Sequence, residues 1–218
     1  MKSKIKALIF DLDGTLADTI PAITEAVNMT LVDLGFPPRT QIEVEGFIGQ
    51  GPRHLISESL PNEENNAETL DKALKLYDKN YALTYLHTDH LYDGMIDVLS
   101  ALSQSYKIAV LSNKQDEYVK KLIKQLIPDG ICDFAYGTLN GIPAKPNPTT
   151  ALKLASALGV NPCECVLIGD SEIDISTAIN AGFNCISVTW GYADKRKLLE
   201  NGAQNIVDLP IELLDYFN

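Results

Sequence analysis

Apolar residues along this chain fall into two kinds of run. Short apolar stretches, each rich in β-branched residues or ending at a glycine or acidic residue, occur at Lys6 to Phe10, Lys107 to Leu111, Phe134 to Gly137, Val166 to Gly169 and Cys185 to Val188. They predict parallel strands buried on both faces, since a strand covered on one face alone would alternate apolar and polar positions. From Lys107 onward, helical spacing appears between them, in Tyr118, Leu122 and Leu126, in Ala151, Leu154, Ala155 and Leu158, and in Ile175, Ala178 and Ile179. Strand and helix in alternation predict a doubly wound α/β sheet.

The stretch between Phe10 and Lys107 breaks this rhythm, because it contains no convincing strand. Ile23, Val27, Leu31 and Leu34 define an amphipathic helix with Thr19 as N-cap and Pro21 in the first turn, ended by Gly35 and the pair Pro37-Pro38. Leu70, Leu74, Tyr77 and Tyr81 define another. The pattern predicts a helical domain over residues 17–88 inserted into a sheet domain of residues 1–16 and 89–218, with hinges near Leu16 to Ile20 and His87 to Gly94.

Charge adds a chemical condition. The 218 residues carry 18 Lys and Arg against 29 Asp and Glu, a formal charge of −11, which disfavours nucleic acid and anionic membrane as partners. An acidic protein acting on an anion needs a cation or a local basic group. The positive start at Met1 to Lys6 is followed by an apolar run too short for a signal peptide, and no stretch approaches a membrane span. Cys132, Cys163, Cys165 and Cys185 are too few for a disulfide framework; they read as buried structural thiols in a reducing, cytoplasmic setting. His54, His87 and His90 are scattered and read as surface or interdomain residues. No heptad seam or obvious patch points to an oligomeric state.

In an open α/β sheet, ligands bind beyond the carboxyl ends of the strands. The first run ends at Asp11-Leu12-Asp13-Gly14-Thr15, with two carboxylates two residues apart and a glycine that lets backbone approach a ligand. The second ends at Leu111-Ser112-Asn113-Lys114, which brings a hydroxyl and backbone amides to that edge. Ala144-Lys145-Pro146 places a cation just before a helix, and Gly169-Asp170-Ser171-Glu172-Ile173-Asp174 carries two more acids into one. Singly these are ordinary features: a helix cap, a turn, a solvated lysine. Together they place carboxylate, hydroxyl, ammonium and a carboxylate pair on one edge.

In these residues the chain resembles the haloacid dehalogenase superfamily, and within it the phosphoglycolate phosphatase-like branch. Asp11 to Thr15 match the first family motif, Ser112-Asn113 the second, Lys145-Pro146 the third and Gly169 to Asp174 the fourth, in order. Val188 to Tyr192 and Asn201-Gly202-Ala203 extend the likeness over essentially the whole chain. The resemblance implies an α/β core with a helical cap between the first two motifs, where the missing strands place the insertion.

It also implies a reaction. A carboxylate about 4 Å from a phosphate dianion faces repulsion of roughly 8 kcal/mol at an effective dielectric near 20, so countercharge is required. By resemblance, Mg2+ supplies it, bound by the Asp11 carboxylate, the Asp13 carbonyl and the Asp170 carboxylate, with Asp174 as a water-bridged partner or an orienter of Lys145. Asp11 would be the nucleophile and Asp13 the acid and base, while Ser112, the amides near Asn113 and Lys145 would hold the phosphoryl oxygens. Phe47 to Arg53 resembles a substrate-specificity loop, in which Arg53 could meet a second anionic group or be merely solvated. The implied substrate is a small phosphorylated metabolite. A β-phosphoglucomutase-like mutase is the alternative, and a silent binding protein a remoter one.

Overall fold

β1 (Ala7–Phe10) is buried at all four positions. The computed structural model describes residues 4–88 and 90–217. Asp89, where the predicted domain boundary falls, lies outside them, as do residues 1–3 and 218. After β1 come four helices, α1 (Ile20–Asp33), α2 (Gln41–Phe47), α3 (Pro52–Ser59) and α4 (Ala67–Thr84). The remainder runs α5 (Met95–Leu102), β2 (Lys107–Gln115), α6 (Asp116–Leu126), β3 (Phe134–Thr138), α7 (Thr149–Leu158), β4 (Cys165–Gly169), α8 (Glu172–Ala181), β5 (Asn184–Val188), α9 (Lys195–Glu200), β6 (Ile206–Val207) and α10 (Glu212–Phe217). The fold is α/β, built on a six-stranded sheet in the order β3-β2-β1-β4-β5-β6, parallel at every pairing.

That order reverses direction next to β1, so a crevice opens beyond the carboxyl ends of β1 and β4. Register carries the chemistry into it: Phe10 lies level with Val110 of β2 and Ile168 of β4, so Asp11, Ser112 and Asp170 come to the same end of the sheet. Below this edge the sheet is dry. Ala7, Ile9, Ala109, Leu111 and Leu167 pack against Ala151, Leu154, Leu158 and Ala178 of α7 and α8, burial that drives the two layers together at roughly 25 cal/mol per Å² of apolar surface.

The chain divides into two compact units, Met1–Asp18 with His90–Asn218, and Thr19–Asp89. Within the second, Thr84 Oγ1 donates to the Ala22 carbonyl at 2.9 Å and Asn80 Nδ2 to Thr30 Oγ1 at 3.2 Å, which joins α4 to α1 through polar contacts inside the helical pair. Thr40 and Glu43 form a capping box at the start of α2. Arg39, just before it, donates to the carbonyls of Ser59 and Leu60 and so ties the α1–α2 connection to the end of α3.

Several expectations need correction. β2 continues through Ser112, Asn113 and Lys114 to Gln115, and does not end at Leu111. Ile179 is 69% exposed, and the inner face of α8 is Ile175, Ala178 and Ala181. Thr19 stands at the N-cap of α1 without a cap hydrogen bond, because its backbone is helical (φ −97°, ψ −4°), not extended in the way that aims a hydroxyl at the next amides. Only Cys165 is fully buried; Cys163 lies exposed in the turn before β4, and none of the four cysteines is in a disulfide. β6, two residues long, is too short to leave a pattern. No helix among the described residues is long and apolar enough to cross a membrane.

Candidate active site

The edge beyond β1 is built by tight turns. After Asp11 the chain folds back at once: the amides of Thr15, Leu16 and Ala17 all donate to the Leu12 carbonyl, and Gly14, at φ +81°, donates to Ala17. A side chain at Gly14 would place its Cβ 2.4 Å from Asp170 Oδ2, so this turn can press against β4 only because position 14 has none. Thr15 Oγ1 then donates to Asp170 Oδ1 at 2.8 Å. The Asp11 carboxylate accepts from the Leu12 amide at 2.7 Å through Oδ1 and faces Lys145 Nζ at 3.0 Å through Oδ2.

β2 supplies its residues through a distortion. Leu111 pairs with Tyr136 and Gln115 with Thr138, so four steps along β2 oppose two along β3 and the intervening residues bulge from the ladder. Ser112 Oγ lies 3.4 Å from Asp13 Oδ2. Asn113 uses both ends of its amide on the main chain of Lys145, accepting from its N–H at 2.7 Å and donating to its carbonyl at 2.9 Å. Lys114 turns back onto the first motif, with Nζ 2.6 Å from Asp13 Oδ1.

Lys145 is 7% exposed and bridges two acids, Asp11 at 3.0 Å and Asp174 at 2.6 Å. Asp174 is fully buried, and its other oxygen accepts from the hydroxyl (2.6 Å) and amide (3.2 Å) of Ser171, completing a capping box at the start of α8. This carboxylate therefore orients the lysine and starts a helix at once. Gly169 makes room for it, since a Cβ there would fall 2.3 Å from Asp174 Cγ. Asp170 is held from two sides, by Thr15 and by the Tyr192 amide at 2.9 Å. Next to Tyr192, Trp190 Nε1 donates to the Thr15 carbonyl at 3.0 Å, and the Tyr192 hydroxyl donates to Asp18 at 3.2 Å.

Asp11, Asp170 and Asp174 each offer an oxygen within 4.8 Å of the others, all three buried. Burial raises the pKa of Asp170 to about 7, the neighbouring Asp174 charge adds to this, and the hydrogen bonds from Tyr192 and Thr15 only partly offset it. Asp11 is also raised well above the usual carboxylate range, first by burial and then by its acidic neighbours, against the attraction of Lys145. For Lys145, burial works to remove the proton, but Asp11 and Asp174 outweigh it and hold the ammonium above the ordinary lysine value. Four aspartates gathered around two lysines leave an excess of acid that a divalent cation bound among them would offset. Hard, buried, clustered carboxylate oxygens fit Mg2+.

Every residue expected in the sheet domain thus lies at this edge: Asp11, Asp13, Ser112, Asn113, Lys145, Asp170 and Asp174. Arg53 lies in the helical unit, on the first turn of α3, and pairs with Asp71 at 3.2 Å with both side chains about two-thirds exposed. Lys114, noted in the sequence only as the end of a strand, and Tyr192, noted only for its resemblance, join the site without having been assigned a part.

The model of haloacid dehalogenase-like hydrolases matches residues 8–188. A phosphoglycolate phosphatase of Vibrio vulnificus (strain YJ016) is 32% identical over 98% of this chain and 96% of its own length. Phosphoglycolate phosphatase 1 of Pseudomonas aeruginosa is 29% identical over 96% of this chain and 78% of its own. Among solved structures, a haloacid dehalogenase-like hydrolase from Streptococcus pneumoniae superposes with a TM-score of 0.88 at 26% identity, covering 98% of this chain and 99% of that one. With this likeness running the length of the chain, and with the carboxylate and lysine cluster at the switch point of the sheet, the chain belongs to the haloacid dehalogenase-like hydrolase family and is a phosphoric monoester hydrolase.

Proposed function

We propose that the chain hydrolyses a small phosphoglycolate-like phosphomonoester in a Mg2+-dependent reaction that passes through a phosphoryl group carried on Asp11. The observation that carries this reading is the placement of Asp11: a carboxylate at the end of the central strand, paired with a buried lysine and grouped with Asp170 and Asp174. Asp11 and Asp170, with the Asp13 carbonyl, would hold the cation, which supplies the countercharge that lets a carboxylate approach a phosphate.

An Asp11 oxygen bonds to phosphorus as the bond from phosphorus to the leaving oxygen breaks, and Asp13 gives that oxygen a proton. Water then attacks the phosphorus of the acyl phosphate, Asp13 takes a proton from it, and Asp11 is released together with inorganic phosphate. Ser112, the amides near Asn113 and Lys145 hold the equatorial oxygens, where negative charge concentrates in the transition state. In the same reading residues 17–88 are a cap domain that selects substrate, with Arg53 a candidate for a second anionic group, and the protein works in the cytoplasm. The phosphatase names of the relatives favour hydrolysis over mutase chemistry.

Phosphate release from p-nitrophenyl phosphate and from 2-phosphoglycolate tests the proposal. Turnover should require Mg2+, stop on chelation, and vanish in Asp11→Asn with the fold retained. Full turnover after exhaustive chelation would overturn it.

A further inference from the structure

Two carboxylates two residues apart must do different work in the proposed reaction, and their sequence neighbourhood does not separate them. Asp11 has to face phosphorus, whereas Asp13 has to face the leaving oxygen. The cation expected at Asp11 and Asp170 would also attract the Asp13 side chain, so something must hold that side chain away.

Lys114 stands where it can do so. Its side chain is 7% exposed, and its ammonium meets Asp13 Oδ1 at 2.6 Å, while Ser112 Oγ lies 3.4 Å from the other oxygen. The placement is fixed from several sides. The Lys114 amide donates to Ser112 Oγ at 3.2 Å and its carbonyl accepts from Thr138 Oγ1 at 3.4 Å. At Gly137 a Cβ would fall 2.4 Å from the Lys114 carbonyl oxygen, so β3 lets the bulge of β2 close against it only by carrying no side chain there. Asp116 Oδ1 accepts from the Gly137 amide at 3.0 Å and holds that contact. Lys145 takes Asp11 on one side and Lys114 takes Asp13 on the other, so two buried lysines sort two neighbouring carboxylates.

We infer that Lys114 is the positioning residue for Asp13, keeping its carboxylate on the β2 side of the site where the leaving oxygen departs. This rests on the acid and base role proposed for Asp13. Lys114 acts through Asp13, so its loss matters only where proton transfer to the leaving group matters. Freed by that loss, the carboxylate would no longer be held on the β2 side, and the leaving oxygen would lose its acid.

Paired kinetics test this. Lys114→Met keeps most of the stem and removes the charge. Its kcat/KM on an alkyl phosphomonoester should fall on the order of tenfold or more, a portion of the roughly 10² to 10⁴ that a positioned acid contributes. On p-nitrophenyl phosphate, whose leaving group needs little help, it should stay within about threefold. In an Asp13→Asn background the same substitution should cost neither substrate anything further. Equal losses on both substrates, or a full additional loss in that background, would show a merely structural role and overturn the inference. Should Lys114→Met fail to fold by circular dichroism, Lys114→Gln gives the same ratio. A split in Asp13→Asn without one in the Lys114 variants sinks the inference alone. No split in Asp13→Asn sinks the acid and base reading itself.

Discussion

Lys145 pays for its burial through its two acids, and removing it should expose what it balances. Lys145→Met leaves Asp11 and Asp174 packed together without a cation, a change that costs about 3 to 5 kcal/mol when one partner of a buried pair is lost. Chemical denaturation should report that loss, accompanied by loss of phosphatase turnover. Asp170 makes a second prediction, this time in pH. The folded protein keeps its proton up to about pH 7, while the unfolded chain releases it near 4, so between those values the folded state binds more protons. Stability of the cation-free protein should therefore fall as pH rises through this window, by on the order of a few kcal/mol. Lys145 titrates above the window and does not mask the effect. Thermal melts should show a lower Tm at pH 8 than at pH 5 in chelator, and Mg2+ should restore more at pH 8, where it need not displace the proton. At this scale the sequence was largely readable. Asp11, Lys145 and Asp170 fall at the ends of predictable runs or in a distinctive loop. Lys114 was not, since its partner lies 101 residues away and only the bulge in β2 decides where it points.

Elements were legible in proportion to their length and to how fully they are buried. β1 and β4 read clearly because both faces are covered, so sequence and burial say the same thing. The pattern closes the run of β2 at Leu111 because Ser112, Asn113 and Lys114 are polar, although all three are buried and belong to the strand. Polar residues inside a strand signal its end only when they face water. The loop after β5 shows how closely the elements meet: a Cβ at Gly191 would fall 2.3 Å from the Gly14 carbonyl and 2.4 Å from Asp170 Cβ, in backbone that cannot retreat without moving the first motif. Gly191→Ala should therefore lower stability by about 1 to 3 kcal/mol, the range for overpacking. It should also reduce turnover more than a distant substitution of equal thermal cost. Melting temperature and kcat measured on the same preparation check both.

Across the whole molecule, charge and function pull in opposite directions. A protein of net charge −11 repels the phosphate dianions it hydrolyses, and only the local lysines and the expected cation reverse the sign where reaction occurs. Because screening weakens the distant repulsion more than the contacts inside the site, kcat/KM at low substrate should rise modestly with added neutral salt before levelling. A steady fall would place the dominant field at the lysines. The long stretch of helices between β1 and β2 was visible in the pattern, because a doubly wound sheet does not otherwise wait about a hundred residues for its second strand. The single tryptophan of the chain, whose ring nitrogen is tethered to the Thr15 carbonyl, gives this arrangement an optical use. Its ring sits one residue from the backbone that crowds Asp170, so binding of a cation or an oxyanion at the acid cluster should change its emission, which a fluorescence titration of unmodified protein checks.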